Sequence, residues 1–153
     1  MKPLIVTSGD PSGIGPEIVL KAVAQWQAGP HGPRPLRVAG DPDWFAEIGE
    51  KLKIPTINID FIPVSFKKDD IFIGQVGKSA GQAGFESIRT AVTRCMHKEA
   101  AGLVTAPIHK ESLALAGHPW PGHTEMLAEL ASPSAPPLVR MMLINPELKV
   151  VLN

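Results

Sequence analysis

The chain has 153 residues, 44% hydrophobic and 20% charged, enough for one domain with its own core. Lys plus Arg and Asp plus Glu both total 15, so the formal net charge is zero, and no local basic cluster points to nucleic acid or an anionic membrane. The lone Cys95 excludes an internal disulfide framework, the apolar run Leu4–Val6 is too short for a signal peptide, and no run approaches a membrane span, so a cytoplasmic soluble protein is expected.

Leu4-Ile5-Val6 reads as a short buried strand and Pro16–Trp26 as the helix after it. Pro16 suits a first helical turn and Glu17 the positive end of the helix dipole, while Ile18, Val19, Ala22, Val23 and Trp26 recur at helical spacing. GPHGPRP, from Gly29 to Pro35, is a loop. Leu36–Ala39 is a second strand, followed by a helix from about Asp43 to Leu52. Thr56–Val64 alternates Ile57, Ile59 and Phe61 as a third strand, and Ile71–Ile73 reads as a short one.

The longest helix is expected over Ser79–Lys98, with Gly84, Ile88, Ala91, Val92, Cys95 and Met96 as its apolar stripe. Cys95 on that stripe is a core side chain rather than a nucleophile. Gly102–Thr105 reads as a buried strand, Lys110–Ala116 and Thr124–Leu130 as helices, and ASPSAPP, Ala131–Pro137, as a loop. Val139–Ile144 and a run from Lys149 onward are the last strands. Strands alternating with helices predict an α/β three-layer sandwich, its sheet largely parallel at the start. The final segment rises into an apolar run at Val150–Leu152, which reads as a core strand of a fold incomplete at its C-terminus.

Three clusters carry candidate chemistry. TSGDPSGIGPEI, Thr7–Ile18, joins the first strand to the first helix. It lacks the Lys-Ser/Thr pair of a P-loop, and Ile18 stands where a dinucleotide fingerprint needs its third glycine. A strand-to-helix turn remains, either simply tight or presenting backbone N–H groups to an anion, with Asp10 as its only charged side chain before the helix. VTAPIHK, Val104–Lys110, ends a strand where α/β proteins place ligands; Lys110 is either a partner for a carboxylate or phosphate or a solvated lysine, and His109 reads as a surface histidine. In AGHPWPGHTEMLAEL, Ala116–Leu130, a Pro/Gly turn leads to His123 and Thr124, with Thr124 as the expected N-cap; the pair is either an anion site at the helix start or a capping Thr beside a bystander His. The spacings of His109, His118 and His123 fit no common zinc pattern.

Taken in order, GDPSGIGPE, TAPIHKE, AGHPWPGHTEMLAEL and VRMMLINPELKVVL resemble the 4-hydroxythreonine-4-phosphate dehydrogenases, from Val6 to the last residue. GDPSGIGPE is also similar to the GDGIGPE loop of isopropylmalate and isocitrate dehydrogenases, whose fold that family shares. The resemblance implies NAD-dependent oxidation and decarboxylation of 4-phosphooxy-L-threonine to 3-amino-2-oxopropyl phosphate, on the route to pyridoxal 5′-phosphate, with a divalent metal ion (zinc, magnesium or cobalt). It places His123 and Thr124 on the substrate and makes Asp10 and Lys110 cleft residues. Family members are two-domain homodimers about twice this length, so residues 1–153 correspond to the N-terminal part. The implied metal ligands and most NAD contacts lie beyond Asn153, so no residue here is assigned to metal, and the catalytic and cofactor-binding residues stay open. Two other readings stay open too: a dehydrogenase for a related four-carbon phosphorylated hydroxy acid, and a non-catalytic anion-binding domain.

Overall fold

The computed structural model describes residues 1–29 and 34–152; part of the Gly29–Pro35 loop lies outside the described residues. The elements in chain order are β1 (Leu4–Thr7), α1 (Gly15–Ala28), β2 (Leu36–Gly40), α2 (Pro42–Leu52), β3 (Asp60–Pro63) and a 3-10 turn at Lys68–Asp70. They continue with α3 (Lys78–Met96), β4 (Gly102–Val104), α4 (Lys110–Leu115), α5 (His123–Ala131), β5 (Met141–Ile144) and β6 (Lys149–Leu152).

Among the described residues, β3, β2, β1 and β4 lie side by side in that order, and every neighbouring pair is parallel. The alternating side chains of β1 and β2 explain why helices cover both faces. Val6 and Val38 face one way, onto Val19, Leu20 and Val23 of α1 and Phe45 of α2. Ile5 and Ala39 face the other way, with Ile62, onto Ala91 of α3. Beyond α3 a further cluster joins Phe85 and Ile88 to Leu113 of α4 and Met126 of α5. Burying a side chain such as Ile88 contributes about 1.5–3 kcal/mol.

Several local expectations need correction. The buried stripe of α1 is Val19, Leu20 and Val23; Ile18 and Ala22 point to solvent. The third strand is shorter than Thr56–Val64, because Asn58 takes a positive φ of 69° and Ile57 is exposed, which breaks the alternation. Ile71–Ile73 is no strand: Ile71 packs under Trp44 while Phe72 and Ile73 face outward in a loop. Met96 leaves the stripe of α3 at its last turn and is exposed. Cys95 is half-buried against Ile5 and Ala91, and burial pushes its thiol pKa up. Val104, at the sheet edge, is 49% exposed, so β4 is not the buried strand its sequence suggests. The strand from Lys149 is no core strand either: β5 and β6 form a separate antiparallel hairpin whose residues are exposed throughout.

Candidate functional site

The strand order fixes where a site belongs. From β1 the chain crosses to β2 on one side, and β4 joins on the other, so the crossovers diverge between β1 and β4. In open α/β sheets ligands bind at such a divergence, beyond the carboxyl ends of the strands. The segment after β1 is the glycine turn, and the segment after β4 is TAPIHK.

The two segments are laced together. The Ala106 N–H donates to Thr7 Oγ1 at 3.2 Å, and the Asp10 N–H donates to the Pro107 carbonyl at 2.9 Å. Behind them, the Ser87 hydroxyl of α3 donates to the Ala39 carbonyl at 2.6 Å and accepts from the Ser8 N–H at 2.9 Å, tying the ends of β1 and β2 to the helix. Gly9 has φ +69°, and Gly15, Gly81 and Gly84 let other backbone pass close by. A Cβ on Gly81 would overlap the Ser112 carbonyl of α4.

Between the segments lies a cleft of about 260 Å³, lined by Asp10, Ser12, Ile14, Val76, Ile108 and His109 among others. Asp10 is only 4% exposed. Its Oδ1 accepts from the Ser12 N–H at 2.8 Å and from the Ser12 hydroxyl at 2.7 Å, while its Oδ2 is buried with no partner. His109 caps α4: its Nδ1 accepts from the Ser112 N–H at 3.4 Å. The far wall comes from Gly74–Val76, held by a 2.7 Å bond from the Gly74 N–H to the Ser12 carbonyl.

His123 is not among the residues that line the cleft. Its Nε2 is buried without a partner, and the ring interacts with the Ala106 backbone. Burial lowers the His123 pKa, and the Ala106 interaction opposes the shift only in part, so the ring is neutral near pH 7.

Thr124 is not the N-cap. Gly122 holds that position without a side-chain cap bond, so α5 begins one residue earlier, at His123. Consecutive helical residues project roughly 100° apart, and Thr124 accordingly lines a separate depression with Leu127 and Arg140. Lys110 is exposed at the start of α4 and is not part of the cleft lining. The structure therefore joins Asp10 and His109 in the cleft lining and leaves His123, Thr124 and Lys110 outside it.

The turn leading to His123 is held by stacked rings that sequence reasoning did not anticipate. Phe85 and His118 stack with centroids 3.7 Å apart, and Trp120 lies 5.5 Å from Phe85 at an interplanar angle of 15°. His118 Nε2 meets Gln82 Oε1 at 3.0 Å, and Trp120 Nε1–H donates to Glu129 Oε2 at 2.8 Å. Burial lowers the His118 pKa, with Glu86 opposing. The three histidines of the central segment thus serve three different partners. Among the described residues, no group of three or more His, Cys, Asp or Glu side chains is placed to hold a metal ion. No helix among them is long and apolar enough to cross a membrane.

Ser12 was also missed, although the Asp-x-Ser spacing of a side-chain-closed turn was a signal that could have found it. Nothing in FIGQV marked Gly74–Val76 as a cleft wall.

Comparison with known proteins adds to this geometry. Residues 18–153 match the profile of the family described as pyridoxal phosphate biosynthetic protein PdxA. The 4-hydroxythreonine-4-phosphate dehydrogenase of Beijerinckia indica is 38% identical over 169 residues, covering 98% of this chain and 47% of the relative. The D-threonate 4-phosphate dehydrogenase of Cupriavidus necator is 35% identical over 164 residues, covering 95% of this chain and 47% of the relative. The crystal structure of 4-hydroxythreonine-4-phosphate dehydrogenase from Klebsiella pneumoniae has the same α/β fold, with a TM-score of 0.83 at 32% identity over 99% of this chain and 50% of that one. The chain spans about half the length of the curated relatives it matches.

Proposed function

Because the chain belongs to the family of the pyridoxal phosphate biosynthetic protein PdxA, we propose that it supplies substrate-binding residues for a dehydrogenase of vitamin B6 biosynthesis. The reaction is the NAD-dependent oxidation and decarboxylation of 4-phosphooxy-L-threonine to 3-amino-2-oxopropyl phosphate. The likeness to a 4-hydroxythreonine-4-phosphate dehydrogenase along nearly the whole chain carries this reading. The crevice where β1 and β4 diverge, closed by the two motifs that resemble that family, agrees with it.

In this reading the chain is the N-terminal part of a two-domain, cytoplasmic, homodimeric enzyme with an isocitrate/isopropylmalate dehydrogenase-like sandwich. When bound, NAD supplies the hydride acceptor and a divalent ion supplies positive charge. The described residues do not fit a metal centre, so no step is assigned to one held here. His123 and Thr124, at the start of α5, contact substrate. Asp10 shapes the cleft beside the glycine turn, and Lys110 is exposed at the start of α4, outside its lining.

A second reading keeps the chemistry and changes the substrate to D-threonate 4-phosphate, a related four-carbon phosphorylated hydroxy acid. The relative from Cupriavidus necator favours it.

Calorimetric titration with each of the two phosphorylated acids tests both readings. Tighter binding of 4-phosphooxy-L-threonine supports the first, and tighter binding of D-threonate 4-phosphate the second. Binding of neither contradicts the substrate-site assignment. In a parallel assay with NAD and a divalent metal, the 153-residue chain alone is expected to form no NADH. Turnover would show that the redox machinery is complete within it.

A further inference from the structure

We propose that the cleft beside the glycine turn takes a hydroxyl or ammonium group of its ligand, held by Asp10 Oδ2, and excludes phosphate. This rests on the reading above only in treating the cleft as part of a ligand site.

A glycine-rich turn between a strand and a helix invites the opposite conclusion, an anion cradle. Here four of the loop's donors are already committed. The Asp10 N–H goes to the Pro107 carbonyl, the Gly13 N–H goes to the Asp10 carbonyl at 3.1 Å, and both the N–H and the hydroxyl of Ser12 go to Asp10 Oδ1. What the loop offers instead is an acceptor. Asp10 is more than nine-tenths buried, lines the cleft, and keeps Oδ2 without a partner. Leaving a buried acceptor unpaired costs about 1–3 kcal/mol, and more when it is charged, so a donor there gains a large return.

Charge points the same way. Among the described residues, the cleft lining contains Asp10 but no lysine or arginine. A phosphate about 4 Å from a carboxylate is opposed by roughly 4 kcal/mol at an effective dielectric of 20. The remaining wall, Ile14, Val76 and Ile108, suits a carbon skeleton. Two sources of such a donor fit: the C2 ammonium or hydroxyl of the substrate, or a ribosyl hydroxyl of the dinucleotide.

The test follows backbone amide resonances of the wild-type chain during separate titrations with 4-phosphooxy-L-threonine, NAD and inorganic phosphate. Shifts at Gly9–Gly13 with either of the first two, and none with phosphate, are expected; which ligand moves them identifies the source. Asp10→Asn keeps an acceptor for Ser12 and should weaken that ligand at least tenfold. Loop shifts with phosphate alone, no loop shifts with either organic ligand, or unchanged affinity in Asp10→Asn would overturn the proposal. The phosphate arm needs no variant and stands even if Asp10→Asn folds poorly. If the substrate moves His123 and Thr124 but neither organic ligand moves the loop, only this inference falls. If the substrate moves nothing, the functional reading falls while the NAD arm still decides the role of Asp10.

Discussion

Gly9 and Pro107 stand so close that a single added Cβ on Gly9 would overlap the Pro107 carbonyl oxygen. That contact closes the glycine turn onto the segment after β4, and the adjacent Asp10–Pro107 bond locks it. Gly9 also holds φ +69°, a left-handed conformation that costs a side-chain-bearing residue about 1–2 kcal/mol. Gly9→Ala is therefore expected to lose about 2–5 kcal/mol in urea denaturation, strain and overlap together. Gly13→Ala is the control: its Cβ would meet nothing nearer than 3.6 Å, and a change within about 1 kcal/mol is expected.

Ser87 links α3 to the ends of β1 and β2. In Ser87→Ala the Ser8 N–H keeps its 3.0 Å bond to the Ala39 carbonyl, so no backbone donor is orphaned. The expected loss is about 1 kcal/mol, read as a lower urea midpoint with an unchanged slope. A loss above about 3 kcal/mol would mean that the hydroxyl organises more than these two strands.

Two half-buried imidazoles set a pH dependence. Burial lowers the pKa of both His118 and His123 below the ordinary value of 6.5. Their neutral forms are favoured in the fold, so the unfolded chain binds more protons as pH drops through 6.5. Stability should be highest above that value and fall as pH decreases toward the folded-state pKa values. Thermal unfolding at pH 7.5 and pH 5.5 checks the sign, with the lower midpoint at pH 5.5. His118→Phe preserves a ring against Phe85 and should shrink the difference.

The β5–β6 hairpin contributes little to the stability of this chain, since its residues are exposed. Leu143→Thr, at 50% exposure, should change unfolding free energy by less than about 0.5 kcal/mol. Ile88→Ala, fully buried in α3, should cost about 2–5 kcal/mol. Similar costs at the two positions would show that the hairpin is packed.

Much of the fold could be read in the sequence because its signals are local. Pro16 with Glu17 and the long periodic run of α3 each announce an element within a few residues. The failures have one cause: alternation and apolarity do not say whether a neighbour exists. Ile57 alternates correctly but meets a left-handed turn at Asn58, and Val150–Leu152 reads as core yet lies in an exposed hairpin. The same holds for the site. Asp10 was visible as the turn's only charge, but the consumption of its Oδ1 by Ser12 is a matter of coordinates. Thr124 looked like a cap because Thr is a common cap, while Gly122 took that place.

The substrate-site account turns most directly on the affinity of 4-phosphooxy-L-threonine for the chain before and after His123→Ala, measured by calorimetry with His97→Ala, an exposed histidine outside the site, as control. At least a tenfold loss in His123→Ala, about 1.4 kcal/mol, with His97→Ala unchanged, is the predicted result. Equal affinity in all three proteins would contradict it.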